Sequence, residues 1–252
     1  LRLKELNDVR KQMTVTAAKE AFLQAEEKLA TGNVQVLVLY LPDCHESLAG
    51  IVAGRVRERY YKPTFILTRA EDGLKGSGRS IDAYHMYEGL NACKHLLTKF
   101  GGHKLAAGLS LEECNLVAFR SLINENATLT DEDLIPKISI DMQLPFSYID
   151  GELIEQLELL APFGKGNPKP IFAEKDLEIL NSNIFGKNQN VLKLRVRSSE
   201  GQVMDAVYFG NAAEFLAYFE QKPDKKAAFT YYPTINEYQG KKSFQIVIQN
   251  YQ

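Results

Sequence analysis

A stretch rich in proline and glycine divides this sequence into two different patterns. Residues 161–170 contain three prolines and two glycines, a composition that neither a helix nor a central strand tolerates. Before this stretch, apolar runs that predict strands alternate with helical periodicities. After it, short segments of alternating polarity follow one another, separated by polar or glycine-containing turns. The sequence therefore predicts two lobes of different structural class.

The first lobe is predicted to be an α/β lobe with a mixed sheet, because strands alternate with helices along the chain. Gly32 gives the first helix a natural end, and Pro63 limits the second. The predicted elements are a helix at 3–30, a strand at 34–41, a helix capped by Ser47, a strand at 64–68, a loop or short strand at 74–80, a helix at Asp82–Lys99, a strand at 105–109 and a helix from a capping box at 110–113 to about Asn126.

The second lobe is predicted to be a small all-β barrel of the OB type, because five strands with one late helix match that architecture. The strands are expected at 171–182, 190–198, 202–209, 226–234 and 243–251, with a helix at 211–220. Residues 131–160 hold one Lys or Arg against eight Asp or Glu, with a short helix at 150–160, and are expected to be an acidic connector. The predicted domains are thus a connector helix at 1–32, an α/β domain at 33–130, this connector and a barrel at 161–252.

The composition limits the class of protein but does not indicate a function. The 252 residues are 45% hydrophobic, enough for two modest cores, and the net charge of −2 neither supports nor excludes a polyanionic partner. We find no membrane-spanning run and no export leader, and three widely spaced cysteines suggest reduced thiols, so a cytoplasmic protein is expected. A chain that starts at Leu1 is expected to be a fragment or a processed product.

The segment from Gly101 to Gly108 is the first candidate site. His103 and Lys104 follow two glycines, Gly101 and Gly102, whose bare backbone lets N–H groups and cationic side chains converge on a phosphate. The alternative interpretation is structural: a glycine that ends a helix, a surface histidine and a tightly packed strand.

Two further segments offer anion-binding chemistry. In residues 75–80, glycines flank Ser77 and precede Arg79, whose planar guanidinium suits phosphate. His45 stands at a predicted strand-to-helix turn, where helix N-terminal amides favour anions, and Arg55 follows on that helix. The structural alternatives are a polar hairpin turn for the first segment and a packing helix with a satisfied turn histidine for the second.

The predicted barrel interleaves cations and aromatic residues, a combination that can bind a single strand by stacking and charge. The alternative is that the aromatics fill the core and the cations solvate the surface. The candidate groove residues are Lys187, Lys193, Arg195, Arg197, Tyr231 and Lys241. With only four histidines and no dense carboxylate cluster, the sequence shows no metal site, and no catalytic residue is assigned in this chain.

These segments, in this order, resemble the C-terminal half of the RecJ single-strand-specific exonucleases of the DHH phosphoesterase superfamily. Cys44 and Gly54 depart from that family's pattern, which often has tryptophan and serine there. The resemblance spans essentially the whole chain and rests on His45–Glu46 with residues 50–53 and Arg55, on residues 76–80, on residues 101–104 with 106–108, and on residues 162–164 with 166–168 and Pro170.

The resemblance implies a DHH-associated substrate-binding domain followed by an OB domain. It implies 5′-to-3′ degradation of single-stranded DNA in recombination and repair, with Mn²⁺ or Mg²⁺ held by an N-terminal catalytic domain that this chain lacks. His103 and Arg79 would then bind phosphate, assisted by Gly101, Gly102, Lys104 and Ser77 and supported by His45 and Arg55. The implied partners are single-stranded DNA, that catalytic domain and, beyond them, a single-strand-binding protein or a helicase.

Two alternative functions stay open on the sequence. One is a short-oligonucleotide phosphodiesterase of the same superfamily, against which the predicted barrel argues. The other is a non-catalytic module that binds nucleic acid or protein and never joins a catalytic domain. For the exonuclease interpretation, the chain alone is expected to be inactive.

Overall fold

The chain forms two compact units, which are described separately. A computed structural model describes residues 2–32, 34–164, 166–186, 188–223 and 226–252, apart from the side chain of Tyr238. The first unit is Leu1–Lys137 and the second is Ile138–Gln252. No helix among the described residues is both long enough and apolar enough to cross a membrane.

The first unit is built on a mixed sheet, as the sequence predicts. Its described strands lie in the order β1-β2-β3-β5-β4, with β1 parallel to β2 and the other neighbours antiparallel. The elements are α1 (Arg2–Ala30), β1 (Leu37–Tyr40), α2 (Glu46–Tyr60), β2 (Thr64–Arg69), β3 (Leu74–Arg79), α3 (Met86–Ala92), β4 (Lys99–His103), β5 (Ala106–Leu111) and α4 (Leu116–Glu125).

Both faces of this sheet are covered at β1 and β2. On β2, Phe65 faces the core that contains Phe119 of α4, whereas Ile66 faces a second core formed with α1 and α2. The small residues Ala21 and Ala25 of α1 are fully buried in that second core, so the C-terminal half of the first helix packs onto the unit. Each large apolar side chain removed from water in this way contributes about 1.5–3 kcal/mol.

Three predicted elements of the first unit are wrong in detail. The helix expected at Asp82–Lys99 is limited to α3, since the backbone N–H of Thr98 donates to the Ser110 carbonyl (2.8 Å) and β4 then pairs with β5. Ser110 lies in β5 and caps no helix. His45, rather than Ser47, is the N-cap of α2, and its ring accepts from the Ser47 backbone N–H at 3.2 Å.

The second unit contains a closed ring of strands, consistent with the predicted OB-type fold. Neighbours run in the order β10-β11-β9-β8-β7, and β10 pairs back onto β7, while β9 and β11 are parallel. The described elements are β6 (Met142–Gln143), α5 (Gly151–Glu158), β7 (Phe172–Phe185), β8 (Val191–Arg197), β9 (Val203–Phe209), α6 (Ala212–Glu220), β10 (Lys226–Tyr238) and β11 (Lys241–Tyr251).

Residues 138–160, predicted to belong to an acidic connector, are part of the second unit. Leu144, Phe146 and Ile154 are buried in its core, and β6 pairs with β7. The acidic composition hides this role in the sequence, because exposed carboxylates surround the few apolar residues that are buried. The stretch at 161–170 forms neither helix nor ladder strand among its described residues, as its prolines predict.

Candidate nucleic-acid interface

Three neighbouring strands of the first unit align the predicted phosphate-binding residues in rows. Alternate residues of a strand share a face, so every second residue of β3, β5 and β4 meets its neighbour across the sheet. The register gives three rows on one face: Arg79–Ala106–His103, Ser77–Gly108–Gly101 and Lys75–Ser110–Lys99. We call this surface the trough.

The trough is open because helix α2 covers only part of the sheet. α2 packs on β2 and β3, and its N-terminal residues Glu46, Ser47 and Ala49 line one side of a cavity of about 440 Å³. Glycines form the floor: a Cβ built on Gly101 would meet no atom within 4 Å, and one on Gly108 would meet only the Gly76 carbonyl oxygen at 3.7 Å. A ligand can therefore approach the backbone directly.

Gly102 and His103 have separate structural reasons for their identity. Gly102 has a φ of +148°, and a Cβ there would lie 2.4 Å from the Ala106 carbonyl oxygen, so only glycine fits. The Leu105 backbone N–H donates to Nδ1 of His103 at 3.2 Å. Because that nitrogen accepts, the neutral ring carries its proton on Nε2, where it can donate to an exposed ligand.

Arg79 is held against helix α2. Its Nη1 donates to the Gly78 carbonyl oxygen at 2.8 Å, and a Cβ built on Gly50 would lie 2.8 Å from its Nη2. Gly50 thus leaves room for the guanidinium, and the half-buried side chain is fixed rather than free. Lys104 is exposed in the β4–β5 turn, and its carbonyl accepts from the Met86 backbone N–H.

His45 and Arg55 separate in the structure. His45 lines a larger cavity of about 1170 Å³ together with Lys75 and Lys99, at the opposite end of the trough from His103. Arg55 is exposed further along α2, outside the three strands whose register forms the trough. The geometry therefore places His45 beside the trough and gives no such position to Arg55.

Sequence reasoning gave no binding role to Lys75, Lys99 or Ser110, although Lys75 begins the candidate segment at 75–80. Lys75 Nζ lies 3.0 Å from Glu46 Oε2 at the N-terminus of α2. The signal that could have found Lys99 is its spacing of two residues from Gly101 and four from His103, which the predicted helix at 82–99 obscured.

The outer face of the barrel carries the predicted cations in one column. On β8, Lys193, Arg195 and Arg197 are exposed and alternate with buried Leu194 and Val196. Arg197 Nη1 lies 3.3 Å from Glu178 Oε2. A cavity of about 220 Å³ on this face is lined by Lys193 and Arg195 together with amide side chains and one carboxylate from the neighbouring strands: Asn181, Asn183, Asn236, Gln245 and Asp205.

Three other predicted groove residues have different outcomes. Tyr231 is fully buried, and its hydroxyl donates to the Leu144 carbonyl, so it cannot stack on a base. Tyr231 follows Ala227 and Phe229 at two-residue intervals along β10, and all three are buried, so this face of the strand points into the core. Lys241 is exposed at the start of β11. Lys187 lies outside the described residues.

Two phenylalanines are exposed on the same face of the barrel as the cations of β8. Phe185 and Phe209 are 48% and 62% exposed and flank Val191 of β8 on either side in register. Lys193 Nζ lies 5.4 Å from the centre of the Phe185 ring. Both rings stand at strand ends next to glycine turns, a position that could have drawn attention to them in the sequence.

A buried carboxyl lies inside the second unit. Glu174 is 6% exposed and accepts from the Phe146 backbone N–H at 3.0 Å. Burial, opposed by this hydrogen bond and assisted by the nearby Glu200 carboxylate, raises the pKa of Glu174 to about 7. Glu174 thus faces the core, away from the exposed cations of β8.

The described residues do not suit a divalent metal. They contain no group of three or more His, Cys, Asp or Glu side chains placed to hold an ion. The trough offers ammonium, guanidinium, hydroxyl and backbone N–H groups, which bind anions, whereas Mg²⁺ and Mn²⁺ prefer carboxylate oxygens. The chemistry of these groups therefore suits an anion better than a divalent cation.

Two family models match the two units. The DHHA1 domain model matches residues 33–128, and the RecJ OB domain model matches residues 140–250. The chain is thus of the class that joins a DHHA1 domain to a RecJ OB domain, and both parts of the predicted resemblance are confirmed.

Similarity to whole proteins gives the family. The single-stranded-DNA-specific exonuclease RecJ of Haemophilus influenzae is 30% identical over 258 residues, covering 98% of this chain and 44% of that protein. RecJ of Bacillus subtilis is 31% identical over 252 residues, covering 98% and 31%. The chain belongs to the RecJ family, and it spans less than half the length of these relatives.

A solved structure shows the same fold. RecJ of Thermus thermophilus, crystallised with Mg²⁺ and with Mn²⁺, covers the whole of this chain at TM-scores of 0.78 and 0.81 and 22% identity. This chain corresponds to 37% and 35% of those two chains.

Proposed function

We propose that this chain is the substrate-binding part of a 5′-to-3′ single-stranded-DNA exonuclease of recombination and repair, acting in the cytoplasm. The observation that carries the proposal is the trough, where Arg79 and His103 stand in one row beside a floor of glycine backbone. The curated relatives named above act on single-stranded DNA, which gives the anion that the trough would bind its chemical class.

In this function the first unit grips a phosphate of the strand. His103 donates from Nε2, Arg79 offers the free edge of a guanidinium fixed by Gly78 and Gly50, and Ser77 adds a hydroxyl in the next row. Charge-assisted hydrogen bonds from groups already held in place contribute about 1.5–3 kcal/mol each. Lys104 and His45 add positive charge or hydrogen bonds at either end of the trough.

In the same function the second unit guides the strand. The cationic column of β8 follows the backbone, and Phe185 and Phe209 offer rings on which bases stack. Bond cleavage is assigned to a metal-binding catalytic domain outside this chain. Divalent metal, when bound there, would activate water, and this chain's residues would hold the phosphate in reach.

A nuclease and binding assay tests the proposal. The purified chain with Mn²⁺ is expected to leave single-stranded DNA intact, yet to bind it in a salt-sensitive way and more tightly than duplex DNA. An R79A/H103A variant is expected to bind about 10-fold to 100-fold more weakly. His95, an exposed histidine outside the trough, provides the control substitution H95A. Equal binding by both variants, or metal-dependent cleavage by the chain alone, would contradict the proposal.

The non-catalytic module is the second candidate function, because the described residues offer anion-binding groups and no cluster of three or more His, Cys, Asp or Glu side chains. Joining the chain to a metal-binding catalytic domain of a relative distinguishes the two. The exonuclease assignment predicts that R79A/H103A then reduces cleavage by the fusion, whereas a non-catalytic module would leave cleavage unchanged.

A further inference from the structure

We propose that Lys75, Ser110 and Lys99 form a second phosphate-binding row, so that the trough holds two phosphates of the same single strand. This inference rests on the proposed function, because it takes the ligand to be single-stranded nucleic acid. It adds a site that the row of Arg79 and His103 does not supply.

The register brings these three side chains to one end of the trough. Lys75 of β3 and Lys99 of β4 lie on either side of Ser110 in β5. Neighbouring strands are about 4.8 Å apart, so the two lysine stems start about 10 Å apart with a hydroxyl between them. Their flexible side chains can converge above Ser110, and all three residues line both the 440 Å³ and the 1170 Å³ cavity.

The spacing between the two cationic rows suits a strand that runs along the trough. Four residues of β3 separate Lys75 from Arg79, or about 13 Å at the rise of an antiparallel strand. That length corresponds to about four nucleotides when bases are stacked at about 3.4 Å and to fewer when the strand is extended. Between the rows lie only Ser77, Gly108 and Gly101, so the sugar-phosphate backbone meets no large side chain.

An ion pair occupies Lys75 in the structure. Glu46 and Lys75 are 3.0 Å apart, and both side chains are more than half exposed. Exposed pairs of this kind are weak, so a phosphate can displace the carboxylate. Glu46 then opposes the phosphate by like-charge repulsion, which makes it a residue that tunes affinity.

Acidic side chains limit the trough beyond this row. The larger cavity continues to Glu71, Asp72 and Glu112, with Arg69 beside them. Three carboxylates repel a further phosphate more than one guanidinium attracts it. The Lys75–Lys99 row is therefore the last phosphate position on this side.

Competition binding with ligands of two lengths tests the second row. The 252-residue chain is titrated with a fluorescein-labelled oligothymidylate of about 12 nucleotides, a length within the site sizes of single-strand binders, and unlabelled thymidine 5′-phosphate competes for the single-phosphate site. K75Q/K99Q is expected to bind the oligonucleotide about tenfold more weakly, with a salt slope smaller by about 0.7 per lost phosphate contact. Its affinity for thymidine 5′-phosphate is expected to stay at the wild-type value, and E46Q is expected to bind the oligonucleotide severalfold more tightly.

Controls separate this inference from the proposed function. Lys94 is exposed outside both cavities, so K94Q removes one surface charge without touching the trough. If K75Q/K99Q matches K94Q in affinity and salt slope, or if E46Q binds no more tightly than wild type, the second row is overturned. If R79A/H103A also fails to weaken oligonucleotide binding, the proposed function fails with it; if that variant does weaken binding, only the second row is lost.

Discussion

The two candidate surfaces differ in what makes them able to bind. In the trough, the floor consists of backbone, because Gly101 and Gly108 carry no side chain and the cations stand around them. On the barrel, long side chains project from a face whose backbone is paired on both sides: Lys193, Arg195 and Phe209. Substitutions that add atoms should therefore impair the trough, whereas substitutions that remove side-chain atoms should impair binding at the barrel surface.

The largest expected effect comes from adding one methyl group at Gly102. Its φ of +148° and the 2.4 Å approach to the Ala106 carbonyl oxygen make G102A strained, at a cost of about 3 kcal/mol. G101A, one residue earlier, meets open space and should leave the free energy of unfolding unchanged while weakening single-strand binding. Urea unfolding followed by circular dichroism measures both. Equal stability of the two variants would contradict the different backbone settings of Gly101 and Gly102.

Removing the buried carboxyl of Glu174 should stabilise the barrel at high pH. The pKa of Glu174 is raised from 4.5 to about 7 in the folded state, so the folded protein binds the proton more tightly than the unfolded chain. Stability is therefore lost as the pH rises from about 5 to about 8. E174Q keeps an oxygen for the Phe146 N–H and should gain about 3 kcal/mol over wild type at a pH of about 8.

Unfolding curves at several pH values provide the check on Glu174. The difference between E174Q and wild type should shrink toward zero near a pH of about 4, where both the folded and unfolded carboxyl are largely protonated. A difference that is the same at both ends of this range would show that ionisation of this carboxyl is not involved.

Removing a ring from the barrel surface should weaken binding by about 1–2 kcal/mol. F209A takes away an exposed ring and its stacking without opening the core. Y231F is the matched case inside the core: it leaves the buried Leu144 carbonyl without its donor, costing about 1–2 kcal/mol of stability but no binding. Fluorescence anisotropy and thermal unfolding of both variants test this. Weaker binding by Y231F than by F209A would restore the tyrosine as a groove residue.

The smallest effect should come from Gly50. A Cβ there lies 2.8 Å from Arg79 Nη2 and would displace the guanidinium, so G50A should weaken single-strand binding by about 1 kcal/mol. Gly54 lies one turn later with no atom within 4 Å of a built Cβ, which makes G54A the control for helix propensity. Indistinguishable binding by the two variants would mean that the position of Arg79 against α2 has no part in the site.

The sequence predicted the parts of the fold whose periodicity agrees with their tertiary setting. The first helix follows from its helix-favouring composition, and the mixed sheet and the strands of the barrel follow from the patterns of apolar residues. The helix expected at Asp82–Lys99 failed because the segment's last residues pair with β5, a contact that local periodicity does not contain. Acidic composition likewise concealed the core residues Leu144 and Phe146.

The candidate site was predicted where flexible glycines accompany cations, and missed where pairing decides the face. Arg79, Ser77 and His103 were predicted from their own segments, and the register places them on one face of the sheet. Lys75 and Lys99 required the register of three strands, which brings residues from distant segments side by side. Tyr231 was misassigned although it shares the alternating pattern of Ala227 and Phe229, which are also buried, so its ring fills the core.

Amide chemical-shift mapping tests the trough most directly. The ¹⁵N-labelled chain is titrated with single-stranded DNA at low salt, and each backbone amide reports contact at its own position. If the trough binds the strand, the largest shifts should fall on Ser77, Gly101, Gly102 and Gly108, with smaller shifts on β8. Shifts confined to the barrel, with these four amides unmoved at saturation, would contradict the assignment of the trough as the phosphate-binding surface.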